Sequence, residues 1–496
     1  MNKPADPNQV ALARAREVAA RILGIKKTKV EDDLLAFLTA TNGDALLRAR
    51  AGSGKTTALT IKAAYLTQEL GVDPERIMML TFNNAAARSL ESRIAAASVP
   101  SGIRVRTFHA LGQRIVRAHF GGARRAVFDE KSEEGEAIAL MMQEAIDEVV
   151  NERFYHFCAS RMRTRYDKRV EYVESIGREA LMSAVGFLRA RGYGLQNRLE
   201  KAWDTHGPIA GNAMKVILGY EKRLKEARLL DGVSVLQAAA WTLEREIETG
   251  QMKPSEAHDV DYIFIDEFQD VSLPYMRLVG AIRDINGMVN IQGVGDDFQS
   301  INGFAGADLV YFDKPDTALE EPQLLDLLRN RRSGSKIVEW GNQVMADAGV
   351  DGAPAIADPA NGSGEVRTGR VSAERDFTFI AGKLAEMADT RYERIALIAR
   401  KWKVGPHALS RLAKAVDANL KAKGWTGNMT AISAHGSKGL EYDQVLLLDD
   451  GSFPMQHPSR PILRDLISDE EYLREEACLK HVAGTRARQS LVVVSM

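Results

Sequence analysis

The chain has 496 residues, 45% hydrophobic and 27% charged, with a formal net charge of −1. That composition belongs to a folded protein with room for two or three cores; it excludes a disordered, fibrous or strongly basic chain. Two cysteines, Cys158 and Cys478, are too few for a zinc cluster or a disulfide scaffold and read as core thiols. In chain order, the first element is Val10 to Leu23, where Arg14, Arg16 and Arg21 interleave with Ala and Val. It reads as an amphipathic surface helix, with an organelle-targeting segment as the alternative; the cytoplasm is the expected compartment. No apolar run reaches membrane-spanning length, so no membrane association is expected.

From about Asp44 to His119 the pattern is strand, glycine loop, helix, strand, helix. From about Phe128 to Pro254 the periodicity turns helical. Short apolar runs then return at Tyr262–Ile265, Val289–Gly293, Leu324–Leu328, Ile395–Ile398 and Val445–Leu448, as suits buried strands of parallel sheets. The expected organisation is α/β, with a first domain over 1–125 and 255–318 and a helical insertion over 126–254. A second α/β domain follows over 319–496. Lys314–Glu321 marks the boundary, and the Ala-, Gly- and Pro-rich Asp351–Glu365 is a loop inside the second domain.

Ala49-Arg-Ala-Gly-Ser-Gly-Lys-Thr56 fits the phosphate-binding loop, with Ala in place of the first Gly and an apolar strand before it. Gly52 and Gly54 free backbone N–H groups to close around a β-phosphate, and the following helix adds its dipole. Lys55 reaches the β- and γ-phosphates and the Thr56 hydroxyl ligates Mg²⁺. Tyr262–Glu267 is an apolar strand ending in two carboxylates. Asp266 suits the metal, and Glu267 suits a general base that polarises water. Together these motifs predict nucleotide hydrolysis and nothing narrower.

The residues that follow are more specific. Asp266-Glu-Phe-Gln-Asp270 resembles the second motif of the UvrD/Rep family of superfamily 1 DNA helicases. Thr81–Arg88, Thr107-Phe-His109, Val294–Ile301, Leu328–Ser333, His435–Glu441 and Val482–Ala487 resemble the rest of that family's series, in order. The resemblance implies two RecA-like P-loop motor domains with parallel sheets, and an ATP- and Mg²⁺-dependent translocase moving 3′→5′ on single-stranded or partly duplex DNA. It implies nucleotide contacts from Ala51, Gly52, Ser53, Gly54, Lys55, Thr56 and Thr57, with Arg331 at the base and Glu441 at the ribose. Gln299 would sense the γ-phosphate, and Arg332 and Arg486 would be arginine fingers; planar guanidinium groups suit the charge of a transferring phosphoryl. Thr81, Phe82, Asn83, Thr107, His109, Phe304 and His435 would contact the strand. Two other readings stay open: an ATP-driven remodeller of a transcription or other nucleoprotein complex, and a non-enzymatic nucleotide-gated clamp.

Several positions depart from the family pattern. Glu31 stands where a Gln usually reads adenine, Arg331 replaces a stacking aromatic, and Thr57 replaces an Arg. A guanidinium stacks on any base, so a looser nucleotide preference is expected. Gln299-Ser-Ile-Asn-Gly-Phe-Ala-Gly306 has fewer aromatics than the usual track and is closer in wording to the helicase IV branch, from which slower stepping is expected. Only about a hundred residues separate Arg332 from His435, so the family's large accessory domain is expected to be absent or vestigial; with little chain after Arg488, a bare, monomer-capable motor is the reading. Within the insertion, Arg153, Arg161, Arg163, Arg165, Lys168 and Arg169 lie among aromatics. They are either a nucleic-acid contact surface or a solvated face over core rings.

Overall fold

The computed structural model describes residues 7–191, 199–372, 376–404, 407–455 and 457–496. Strand Ala45–Ala49 lies between Asn290–Gly295 and Gln323–Leu327. From Asn290–Gly295 the sheet continues through Tyr262–Asp266 and Ile77–Thr81 to Arg104–Thr107, with every pairing parallel. Ile77–Thr81 and Tyr262–Asp266 are buried at each position, which is why they read as unbroken apolar runs. Leu46, Ile263 and Ile265 face one core and Leu47, Phe264 and Val294 the other, so helices cover both faces.

The second sheet runs Glu365–Arg370, Ala487–Ser495, Tyr442–Asp449, Arg394–Ala399, Asn428–Ser433, again all parallel. Cys478 sits buried in one of its two cores. Between Arg394–Ala399 and Asn428–Ser433 the described residues form the hairpin Lys403–Val404/His407–Ala408 and helix Leu409–Lys421. Val404, Leu409, Leu412 and Val416 pack on this sheet rather than on a body of their own. Asp351–Glu365 is irregular apart from the short strand Ile356–Ala357 and a 3-10 turn at Pro359–Asn361, and Glu365 already opens a strand.

Two expected boundaries shift. Strand Gln323–Leu327 pairs with Ala45–Ala49, so the first domain does not end at 318 and the chain crosses to the second body only after Leu327. Local alternation marks a strand but not its neighbour. The insertion also divides: helices Glu133–Asp147, Glu152–Arg161, Val170–Ala190 and Leu199–Ala227 share a core around Phe154, Cys158, Leu181 and Ile217. Its last helix, Gly232–Thr249, instead places Val235, Leu236, Ala239, Ala240 and Leu243 in the first domain's core.

A segment of the second body also enters the insertion. Ile462, Leu463 and Leu466 join the insertion's core, and Asp465 pairs with Arg161. Among the described residues no helix is long and apolar enough to cross a membrane. Ile462 is fully buried there, so Ile462→Ala should cost about 2–5 kcal/mol. A urea midpoint that does not move would show that this segment contributes no burial to stability.

Candidate active site

Strand Ala45–Ala49 delivers the phosphate loop to the carboxyl end of the sheet, where open α/β sheets bind ligands. Gly54, at φ 96°, caps helix Lys55–Glu69 in a backbone state that side chains avoid. Gly52 has a second reason to be glycine. A Cβ there would stand 2.7 Å from Asn330 Oδ1 and 2.8 Å from Arg332 Cβ. The Gly52 carbonyl accepts the Arg331 N–H at 2.9 Å, and the Ser53 carbonyl accepts from the Arg331 guanidinium at 2.7 Å. The loop is thus roofed by the segment that enters the second body. Ala51 is buried beside it.

Thr56 Oγ1 donates to Asp266 Oδ2 at 2.9 Å, and Lys55 Nζ lies 3.5 Å from Glu267 Oε2. Lys438 reaches in from the second body to Asp270 at 2.5 Å and to Glu267 at 3.9 Å. Burial raises Asp266 and the charge on Glu267 raises it further. Burial opposes ionisation of Glu267 too, but Lys55 and Lys438 outweigh it and hold that carboxylate ionised. One of the paired carboxylates therefore keeps its charge at the expense of the other. Among the described residues no group of three or more His, Cys, Asp or Glu forms a metal cage. A Thr hydroxyl beside one carboxylate is instead the partial donor set that Mg²⁺ uses when phosphates and water complete its shell.

Across the cleft stand two guanidinium groups. Arg486 is 1% exposed; its Nε donates to the Val482 carbonyl at 2.9 Å and its Nη2 to Gln299 Oε1 at 3.4 Å. Burial and the like charge of Arg332 lower its pKa to about 9. Arg332 donates to the Thr485 carbonyl at 2.7 Å, while its Nε is buried without a partner. Among the described residues neither has a carboxylate within ion-pair distance. Buried cations lacking an anion are costly and are retained where an anionic ligand completes them. Gln299 stands between the halves, donating to Asp296 Oδ2 at 2.5 Å while it accepts from Arg486.

Sequence reading missed four residues here. Arg50, 1% exposed, binds Asp296 and Asp297 at 2.7 Å each and the Ala353 carbonyl at 2.6 Å, over the Phe298 ring at 3.5 Å. Lys438 is the second. Arg93 donates to Thr57 Oγ1 at 3.3 Å and so brings a guanidinium to the position where the motif lacks one. Arg329 joins Arg331 on Glu31, at 2.5 Å, so the expected base-reading position is an ion-paired cluster rather than a free guanidinium. Local pattern shows the adjacent motifs but not these long-range pairs. Glu441 is exposed, 3.8 Å from Arg488.

The expected strand contacts fall in two places. Thr81 and Thr107 end neighbouring strands and are buried, and Asn83 and Thr107 cap the helices that follow, accepting from Ala86 and Ala110 N–H. Phe82 packs against Phe108 and Tyr275, with His109 5.9 Å from Tyr275. His435 lies elsewhere, lining a 690 Å³ cavity between the two bodies and the insertion together with Ser300, Gly303, Arg400 and Phe187. Arg191 crosses this groove to Asp308 at 2.7 Å and Glu471 at 3.3 Å. The Phe304 side chain lies outside the described residues. In the insertion, Phe154 and Tyr155 are core rings, and Arg161 and Arg165 are paired with Asp465 and Asp167. Arg153, Arg163, Lys168 and Arg169 have no carboxylate partner among the described residues.

The model of the UvrD/REP helicase N-terminal domain matches residues 30–319, and that of the UvrD-like helicase C-terminal domain matches 407–496. The chain is 28% identical over 311 residues to an ATP-dependent DNA helicase PcrA of Staphylococcus epidermidis, covering 62% of this chain and 38% of that protein. It is 26% identical to DNA helicase IV of Escherichia coli over 89% of this chain and 65% of the relative. A probable DNA helicase of Mycoplasma pneumoniae is 23% identical over 93% of this chain and 82% of its own length. The chain therefore spans little more than a third of the PcrA protein that it matches.

Replacing the buried, anion-less Arg486 by Met should leave the ligand-free protein equally stable or stabilise it by about 1–4 kcal/mol. The variant should also lose the rise in melting temperature that a non-hydrolysable ATP analogue with Mg²⁺ gives the unaltered chain. A marked fall in the ligand-free melting temperature would mean that the guanidinium already has its partner.

Proposed function

Because the chain belongs to the UvrD/Rep helicase family, we propose that it is an ATP-driven motor that moves 3′→5′ along single-stranded DNA. The observation that carries this reading is the pair of guanidinium groups from the second body, buried Arg486 and half-buried Arg332 with its Nε enclosed, which have no carboxylate within ion-pair distance among the described residues. A γ-phosphate between the halves supplies the missing charge. Gly52, Ser53, Gly54 and Lys55 hold the phosphates. Thr56 and Asp266 would hold Mg²⁺, which when bound neutralises phosphate charge. Glu267, kept ionised by Lys55 and Lys438, accepts a proton from the attacking water. Arg332 and Arg486 then stabilise charge on the transferring oxygens from the opposite body, so the nucleotide draws the halves together and its hydrolysis releases them.

The strand side follows from the same network. Asp296 is held by Arg50 beneath the phosphate loop and by Gln299, which touches Arg486. Ser300 and Gly303, a few residues on, line the groove with His435. Short polar groups there suit a sugar-phosphate backbone. Thr81, Phe82, Asn83, Thr107 and His109 form the second patch on the first body.

The direct test is steady-state ATP hydrolysis with and without single-stranded DNA, beside Glu267→Gln. We expect DNA to raise turnover in the unaltered chain and the variant to lose it; hydrolysis indifferent to DNA would remove the strand from the mechanism. The Glu31–Arg329–Arg331 cluster gives a second outcome. With no neutral amide to read adenine, ATP and GTP should be hydrolysed at rates within about tenfold, a difference of 1.4 kcal/mol. A strong preference for ATP would assign base reading to some other group.

A further inference from the structure

Helix Gly232–Thr249 buries one stripe in the first domain's core, yet a second stripe is left with chemistry of its own. Ser234, Gln237, Ala238 and Trp241, at helical spacing, line a 390 Å³ cavity where the helix meets the end of Leu199–Ala227. Leu224, Leu229 and Leu230 make its floor. Trp241 is 45% exposed, and its ring lies nearly parallel to Phe120, 11° apart. An aromatic this large, left half in water beside an apolar floor, is a platform for a flat ligand.

Three cations surround that platform. Arg124 sits over Phe120 at 4.7 Å, and Lys225 and Arg228 line the rim. None of the three has a carboxylate within ion-pair distance among the described residues, whereas Arg277 on the same wall is neutralised by Glu244 at 2.6 Å. Inside, Gln237 is 7% exposed and its Nε2 has no acceptor, while Glu221 Oε1 is ion-paired with Arg189 Nε at 3.6 Å. A buried amide N–H left unpaired asks for a ligand that carries an acceptor. A nucleobase edge offers both a carbonyl and an amine, and its phosphate matches the rim.

The cavity also continues a surface already described. The helix begins at Gly232, where a Cβ would stand 3.1 Å from His109 Nε2, and the cavity opens two residues later at Ser234. Asp231 fixes this corner by capping the helix through Ser234 N–H and by pairing with Arg189 at 2.6 Å. The row Thr107, His109 therefore runs directly onto the helix.

We propose that this cavity is an additional nucleotide-binding station, which takes one unpaired nucleotide of the bound strand beyond His109. The base lies on Trp241 with its edge toward Gln237 and Glu221, and its phosphate lies among Arg124, Lys225 and Arg228. This rests on the strand reading above and extends it to a surface that the motif series does not include.

The test is the affinity of the full chain for a length series of oligothymidylates, for the unaltered protein, Trp241→Ala, Trp241→Phe and the double variant Lys225→Ala/Arg228→Ala. Trp241→Ala should weaken the longer oligomers by about 5- to 150-fold. It should leave the shortest unchanged, and Trp241→Phe should restore most of the loss. The double variant should flatten the salt dependence by about 0.7 per phosphate contact removed. Unchanged affinities at every length, or an equal loss at every length, would overturn the station; so would a loss confined to duplex DNA. If the unaltered chain binds no oligothymidylate at all, it is the strand reading itself that falls.

Discussion

The structure is organised around two guanidinium groups, buried Arg486 and half-buried Arg332, that have no carboxylate within ion-pair distance among the described residues. Arg332 and Arg486 are brought by the second body against a phosphate loop whose Gly52 can only be glycine, because Asn330 and Arg332 press on it. Removing the anion from a buried ion pair typically costs about 3–5 kcal/mol. The protein spends interdomain contacts to hold that arrangement: Arg331 on two carbonyls of the loop, Lys438 on Asp270, Arg50 on Ala353. On the proposed function, a polyphosphate would supply the negative charge that such a cleft lacks.

Arg50 stacks on Phe298, binds both carboxylates of Asp296 and Asp297, and is wholly buried, so it has little room to adjust alone. Asp296 is shared with Gln299, and its N–H donates to Gln269, which in turn binds Glu267. These hydrogen bonds tie the groups into one largely buried network, in which Arg50 Nη2 alone of its guanidinium nitrogens has no hydrogen-bond partner. The groove-lining Ser300 and Gly303 follow it in sequence within a few residues. The phosphate loop and the groove proposed for the strand are thus joined through Asp296 and Gln299 and the few residues that follow them.

Much of this was legible from the chain alone, and the reason is local. A phosphate loop needs its glycines and lysine in consecutive positions, and a buried parallel strand needs an unbroken apolar run; both are short-range patterns. The Tyr262–Asp266 strand followed directly, and Thr56 and Asp266, each expected at a metal ion, lie in hydrogen-bond contact. What stayed hidden was partnership over distance. Leu324–Leu328 announced a strand without announcing that its neighbour is Ala45–Ala49. Helix Gly232–Thr249 has the same periodicity as the helices before it, yet it belongs to a different core. Arg50, Arg93, Arg329 and Lys438 are single charged residues whose meaning lies in carboxylates or hydroxyls far away in sequence. Composition records their presence and only the fold records their use.

The packing of Ile462, Leu463 and Leu466 constrains how such a motor can move. Fully burying an aliphatic side chain contributes about 1.5–3 kcal/mol, so three of them fasten the insertion to the second body more firmly than any exposed ion pair does. The insertion is covalently part of the first body, however, and its last helix is sealed into that core. Opening the nucleotide cleft must then be absorbed elsewhere. Among the described residues, polar contacts that cross the groove without apolar burial include Arg191 to Asp308 and Glu471, the Gly303 N–H to Glu475, Arg474 to Asp313 and His457 to Glu179. These are polar, partly exposed and individually weak. On the proposed function, these are the contacts that would exchange for phosphate oxygens when a strand enters, while the apolar packing of Ile462, Leu463 and Leu466 is kept.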